Sequence, residues 1–202
     1  MFNEKFGLEN LVLQKIKDMT RRVAIDEPVE NMEVMYDTKT HQCCICSGNL
    51  VVKRSQYAVG EVVAIAQRYE QLLNENYLME DWIMSLHKSA GYKNKMFVKA
   101  ELMSHHIKIT NIRVERLQDI SDEDAMREGI IKVDDNEFNF YPYISKNTNY
   151  LNYTKPRVAF SRLIDNVSGK GTWEKNPLVF VYEFELIDYG KCRKNKSMFG
   201  LA

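Results

Sequence analysis

Residues 105–129 read HHIKITNIRVERLQDISDEDAMREG, a strand pattern that runs into a helix signal, and they decide the fold class. Ile107 and Ile109 alternate with other residues, as expected of a strand with one buried face. Ile112 and Val114 alternate as well, but one step out of phase. A single extra residue near Thr110-Asn111 restores the register, so a β-bulge is expected there. Ser121-Asp-Glu-Asp124 is a variant of the S/T-x-x-E capping box, and Gly129 is a stop. Together they predict a short helix carrying Ala125, Met126 and Glu128.

Upstream, Leu8, Leu11, Val12 and Ile16 fall at helical spacing, and MTRRVAI (19–25) reads as a strand. Residues 26–57 read as a long loop or small hairpin insertion, with a Gly48-Asn49 turn before Leu50-Val51-Val52. Gly60 marks a tight turn. The apolar run Val62 to Ala66 then suits a strand buried on two faces, as in a small closed barrel. Tyr69, Leu72, Leu73, Tyr77, Trp82, Ile83 and Leu86 predict helices within 67–90, stopping near Gly91, before a strand over KMFVKAEL (95–102).

Downstream, the polar, tyrosine-rich residues 132–153 read as irregular. Thr154 to Val167 reads as a helix with Pro156 in its first turn and an apolar face of Val158, Phe160, Leu163, Ile164 and Val167. SGKGT (168–172) is a turn that lacks phosphate-loop spacing. LVFVYEFELI (178–187) is the clearest strand, with Leu178, Phe180, Tyr182, Phe184 and Leu186 on one face. Residues 189–202 form a basic, flexible tail.

The chain has 202 residues, 45% of them apolar, enough for one good core. A single domain over 1–188 is expected, with insertions at about 26–57 and 67–90. The 28 basic and 28 acidic residues cancel, so attraction to nucleic acid has to come from a local patch. No run of about 18 apolar residues is present to cross a membrane. MFNEKFGLENLVLQK does not read as a signal peptide. Four cysteines are no disulfide framework for this length, so a cytoplasmic protein is expected. In HQCCIC, Cys43 and Cys46 have C-x-x-C spacing without a second pair, which favours a thiol cluster over zinc. No metal or cofactor is expected, and His105 and His106 read as surface residues. Tyr141, Tyr143, Tyr150 and Tyr153, interleaved with Lys146 and Lys155, read as a covering loop, with base stacking as the alternative.

KIKDMTRRV (15–23) concentrates positive charge. Lys15 and Lys17 suit the negative end of a helix dipole, whereas Arg21 and Arg22 lie past the helix. The order of parts is K-x-x-T-x-R (Lys17, Thr20, Arg22), Gly60-Glu61 before VVAIA, the S-D-E-D-A-x-x-E-G helix start, and the closing LVFVYEFEL strand. This order resembles the ASCH family, most closely the ASCH-domain proteins of bacteriophages and prophages. The resemblance covers most of residues 1–25, 57–66 and 91–188. It implies an α+β fold: a small PUA-like β-barrel with helices packed across its ends, plus a helical insertion. It also implies binding of RNA, a nucleotide or a modified nucleoside in a cleft beside the first helix, at Lys17, Arg21, Arg22 and Glu128. One branch of the family hydrolyses N4-acetylcytidine. On that reading Lys17 is the base, Thr20 the nucleophile and Glu128 the proton relay. The family's usual glycine two residues before the lysine is Lys15 here. A third reading makes the chain a phage-type interaction module that engages a protein through residues 67–90.

Overall fold

The computed structural model describes residues 7–26, 31–75, 86–140 and 152–188. They fall into two compact units, Val62–Ile107 with the segment from Leu186 onward, and the residues up to Glu61 with Lys108–Glu185. The fold is mixed α+β around a curled antiparallel sheet.

In the larger unit, α1 (Leu8–Leu13) buries Leu8, Leu11 and Val12 and leads into β1 (Met19–Ile25). Antiparallel β1 and β9 (Leu178–Asp188) pair from Met19 opposite Glu183 to Ile25 opposite Leu178. β6 (His105–Arg116) flanks β9 on its other side, so β1 is an edge strand and β9 is central, while β5 (Val62–Ala64) belongs to the smaller unit. The one-faced pattern expected for β9 is therefore incomplete. Val179 and Val181 are as buried as Phe180 and Tyr182, because both faces of a central strand are covered here. In β6 the phase change appears as two successive exposed residues, Thr110 and Asn111, between buried Ile109 and Ile112.

Half of the expected capping box is present, the Asp124 carboxylate bonding Arg21 and Arg113 instead of closing it. Ser121 caps α3 (Asp122–Arg127), its side chain accepting from the Asp124 N–H, and Gly129 follows at φ 106°. The helix α4 (Pro156–Ser168) buries Ala159, Phe160, Leu163 and Ile164, but Val158 is 44% exposed and off the apolar face. Gly169 and Gly171, both at positive φ, lead into the one-turn helix α5 (Thr172–Lys175).

The small hairpin offered as one reading of 26–57, with its turn at Gly48-Asn49, is present and gains a third strand, and part of 132–153, read as irregular, is strand as well. Residues 32–54 form a meander of β2 (Met32–Asp37), β3 (Gln42–Ser47) and β4 (Leu50–Arg54), turning at Gly48. β3 lies in the middle and is buried, while Val34, Met35, Leu50 and Val52 on its neighbours are exposed. No single-face alternation survives in such strands, which is why periodicity missed them. Ile130–Asp134 (β7) and Glu137–Phe140 (β8) make a hairpin, and Tyr153 bonds back to Phe138 through both backbone groups. Tyr141, Tyr143, Lys146 and Tyr150 lie outside the described residues, as does the tail from 189.

In the smaller unit, β5 is three residues long and Val62 is 40% exposed, so the two-sided burial expected of residues 62–66 is limited to Ile65 at 1%. Residues 95–102, read as a strand, form two 3-10 turns, Lys95–Phe97 and Ala100–Leu102. The Asn94 side chain caps the first of them. The core is Tyr69 and Leu72 of α2 (Tyr69–Glu75) with Met103, flanked by Ala64, Tyr92 and Val98. Gly91 is a close-approach residue rather than a left-handed stop. A Cβ there would lie 2.5 Å from the Tyr69 ring. Residues 76–85, with most of the expected helical and partner surface, lie outside the described residues.

The end of α1 sets up the site. The Ile16 N–H donates to the Leu11 carbonyl at 2.9 Å and the Lys15 N–H to that of Val12 at 2.9 Å, a Schellman motif. Lys15 occupies its left-handed position at φ 60°. The backbone turn is the one glycine favours, made here with a side chain that strains it. Lys15→Gly is therefore expected to stabilise the fold by about 0.5–1 kcal/mol. Urea unfolding of the two proteins checks this; a loss of stability would show that the Lys15 side chain contributes more than its strain costs.

Candidate functional site

Three elements bring Lys17, Thr20, Arg21, Arg22 and Glu128 to one small cavity of about 30 Å³, closed on its other sides by Leu8 of α1 and by Phe160, Leu163 and Ile164 of α4. The Schellman turn drops Lys17 between α1 and β1. Gly129 permits the close approach: a Cβ there would stand 2.9 Å from Leu11 Cδ1 and 3.6 Å from Lys17 Cδ. Glu128, the C-cap of α3, is thereby aimed at Lys17. Because β1 is a sheet edge, residues from both of its faces border the cavity.

Lys17 is not a solvated helix end. Its side chain is 1% exposed, and its ammonium donates to Glu128 Oε2 at 2.6 Å, to the Glu128 carbonyl at 2.7 Å and to the Met19 carbonyl at 2.6 Å. All three N–H groups of an ammonium are thus used. Burial pushes the Lys17 pKa below its ordinary value. The Glu128 carboxylate works against that push, and the charges of Arg22 and Arg21 add to it.

Successive side chains of a strand alternate, so Arg21 goes with Met19 and Arg22 with Thr20. The Arg21 side chain is fully buried. Its guanidinium donates to Glu115 Oε1 at 2.6 and 2.9 Å, to Asp124 Oδ2 at 2.9 Å and to Glu128 Oε1 at 3.2 Å. It also lies 5.9 Å over the Phe160 ring. Burial pulls its pKa down, but the Glu128 and Glu115 carboxylates more than reverse this and the net direction is up. Around it, Arg113 bonds Glu115, Asp124 and Glu183, and Arg127 bonds Asp18 and Glu183. Glu183 is raised by burial and pulled further the other way by Arg127, Asn111 and Arg113, leaving it below the ordinary carboxylate value. No sequence spacing pointed to this network, because Arg21 and its carboxylates are 94 to 107 residues apart.

Arg22 behaves differently. It is half-buried and, among the described residues, makes no ion pair or side-chain hydrogen bond. Its neighbours on that face are Tyr182 and Tyr57, whose rings meet edge to face at 5.5 Å. Burial pushes both phenols up, and the Arg22 charge acts against that rise. Thr20, opposite Tyr182 in the register, is 6% exposed and borders the same cavity.

The three described cysteines do not line this cavity. Cys43, Cys44 and Cys46 are buried free thiols on β3, and strand alternation puts Cys43 and Cys46 on opposite faces. Among the described residues no group of three or more His, Cys, Asp or Glu side chains is placed to hold a metal. No helix among them is long and apolar enough to cross a membrane. Comparison with protein-family models, curated proteins and solved structures finds no match to this chain.

Proposed function

We propose that the Arg22 face of β1 binds a ligand of the nucleotide class: RNA, a nucleotide or a modified nucleoside. Arg22 is the anchor and Thr20 a neighbouring hydroxyl. One observation carries this reading. Lys17, Arg21, Arg113 and Arg127 are all consumed by carboxylates, whereas Arg22 has none among the described residues and stands beside a cavity and two tyrosines. An unpaired, half-buried guanidinium is suited to bidentate capture of a phosphate, and of the two neighbouring tyrosines the half-buried Tyr57, not the fully buried Tyr182, is the ring that can meet a base. A cavity of about 30 Å³ admits one small group, so such a ligand presents an edge or a phosphate oxygen rather than entering whole. Lys17 and Arg21 then hold the site in shape, and the resemblance to the ASCH family points to the same class of ligand.

The amidohydrolase reading has the depressed Lys17 pKa in its favour. Against it, a base needs a free lone pair, and the nitrogen of Lys17 is held by two carbonyls and a carboxylate that all select the charged, donating form. Binding therefore ranks first.

The test is fluorescence anisotropy with a labelled, mixed-sequence single-stranded RNA of a dozen nucleotides. Binding is expected to weaken with salt. Arg22→Ala is expected to weaken it by about 10- to 100-fold, the worth of a charged hydrogen bond of about 1.5–3 kcal/mol, with no loss of fold. Equal binding by wild type and variant would overturn the assignment. Acetate release from N4-acetylcytidine by the wild type, abolished in Thr20→Val, would reinstate the hydrolase.

A further inference from the structure

The larger unit also contains a groove of about 550 Å³, between the start of α4, the turn into α3 and helix α5. Its size falls within the usual range for small-molecule sites, unlike the cavity beside Lys17. One wall is aromatic: the Arg157 guanidinium carbon lies 5.5 Å from the centroid of the Trp173 indole, within cation–π range, and the Phe160 ring meets that indole edge to face at 6.3 Å. These two contacts hold the indole, and the Gln118 carbonyl accepts from Arg157 Nη2. The mouth is cationic. Lys155 and Arg157 are both exposed, and among the described residues neither is in an ion pair. Asp122 is the one carboxylate in the lining, and its Oδ1 already accepts the Arg157 backbone N–H at 3.1 Å. That bond satisfies a donor at the start of α4, and among the described residues the second carboxylate oxygen has no hydrogen bond.

An aromatic wall, two unneutralised cations and one spare acceptor match three parts of one kind of molecule. We propose that this groove binds a nucleotide unit. Its base packs on the Arg157–Trp173 pair, its phosphate lies on Lys155 and Arg157, and a base amino group or ribose hydroxyl donates to Asp122. An inorganic anion would leave the indole wall unused, and a neutral aromatic would leave the cations unused. The inference stands independently of the Arg22 reading.

Trp82→Phe leaves Trp173 as the lone tryptophan, a reporter inside the groove. Titration of this protein with AMP is expected to quench its fluorescence saturably, and inorganic phosphate alone is not. Lys155→Glu, whose side chain makes no capping bond, is expected to weaken AMP by about tenfold, and Arg22→Ala to leave the titration unchanged. Absence of saturable quenching overturns the proposal, as does an unaltered curve in Lys155→Glu. Loss in Arg22→Ala overturns it too, by moving the nucleotide to the other site. Hexaadenylate alongside AMP identifies the source: tighter binding of the oligomer assigns the groove to an RNA strand, and equal binding per nucleotide to a free nucleotide.

Discussion

Arg21→Ala is expected to lower the free energy of unfolding by about 3–5 kcal/mol, the cost of breaking a buried ionic cluster by removing one partner. The guanidinium is fully buried and bonded to Glu115, Asp124 and Glu128. Its loss leaves Glu128, 5% exposed, with only Lys17, and removes a shared cation from two further carboxylates. Arg113 provides the control. It bonds Glu115, Asp124 and Glu183 too, but its side chain is 33% exposed, and water can replace it. Arg113→Ala should cost about 1 kcal/mol or less. Urea unfolding of both variants, with unchanged denaturant slopes, checks the pair. Equal losses would show that burial does not set the strength of this network.

Lys17→Met is expected to cost about 3–5 kcal/mol for the same reason, since it strips Glu128 of its closest cation and leaves two backbone carbonyls without a donor. The informative comparison is the double variant Lys17→Met with Glu128→Met. Removing both charges removes the penalty of either left alone, so the double variant should be more stable than Lys17→Met by 1 kcal/mol or more. A double variant that loses the sum of the two single losses would mean that the pair is not coupled. The outcome also bears on mechanism. If Lys17 and Glu128 are a structural pair, Lys17→Met/Glu128→Met should retain RNA binding wherever it remains folded.

Much of the framework was legible because it rests on local signals. The S-D-E-D box marked the start of α3, Gly129 its end, and Pro156 the first turn of α4. What failed failed for physical reasons. The meander over 32–54 has a central strand buried on both faces between neighbours with exposed apolar residues, so no strand shows the alternation that a half-buried one would. Residues 95–102 have strand-like composition but turn twice, with Met96 84% exposed. Propensity yielded there to the packing of Tyr69, whose hydroxyl accepts from the Lys99 N–H and whose ring leaves room at residue 91 for glycine alone.

The sequence by itself determined that KIKDMTRRV is a helix end running into a strand and that it concentrates cations, while the resemblance to the ASCH family grouped Lys17, Thr20, Arg22 and Glu128. The pattern singled out Arg22, but nothing in it said that Arg21 would be neutralised. They are adjacent and chemically identical, and they differ only because a strand alternates its side chains. One of them meets carboxylates brought from Glu115, Asp124 and Glu128, and the other meets Tyr57 and Tyr182. The tertiary structure alone decides which cation is neutralised and which is left without a carboxylate among the described residues, because that choice depends on partners about a hundred residues away along the chain.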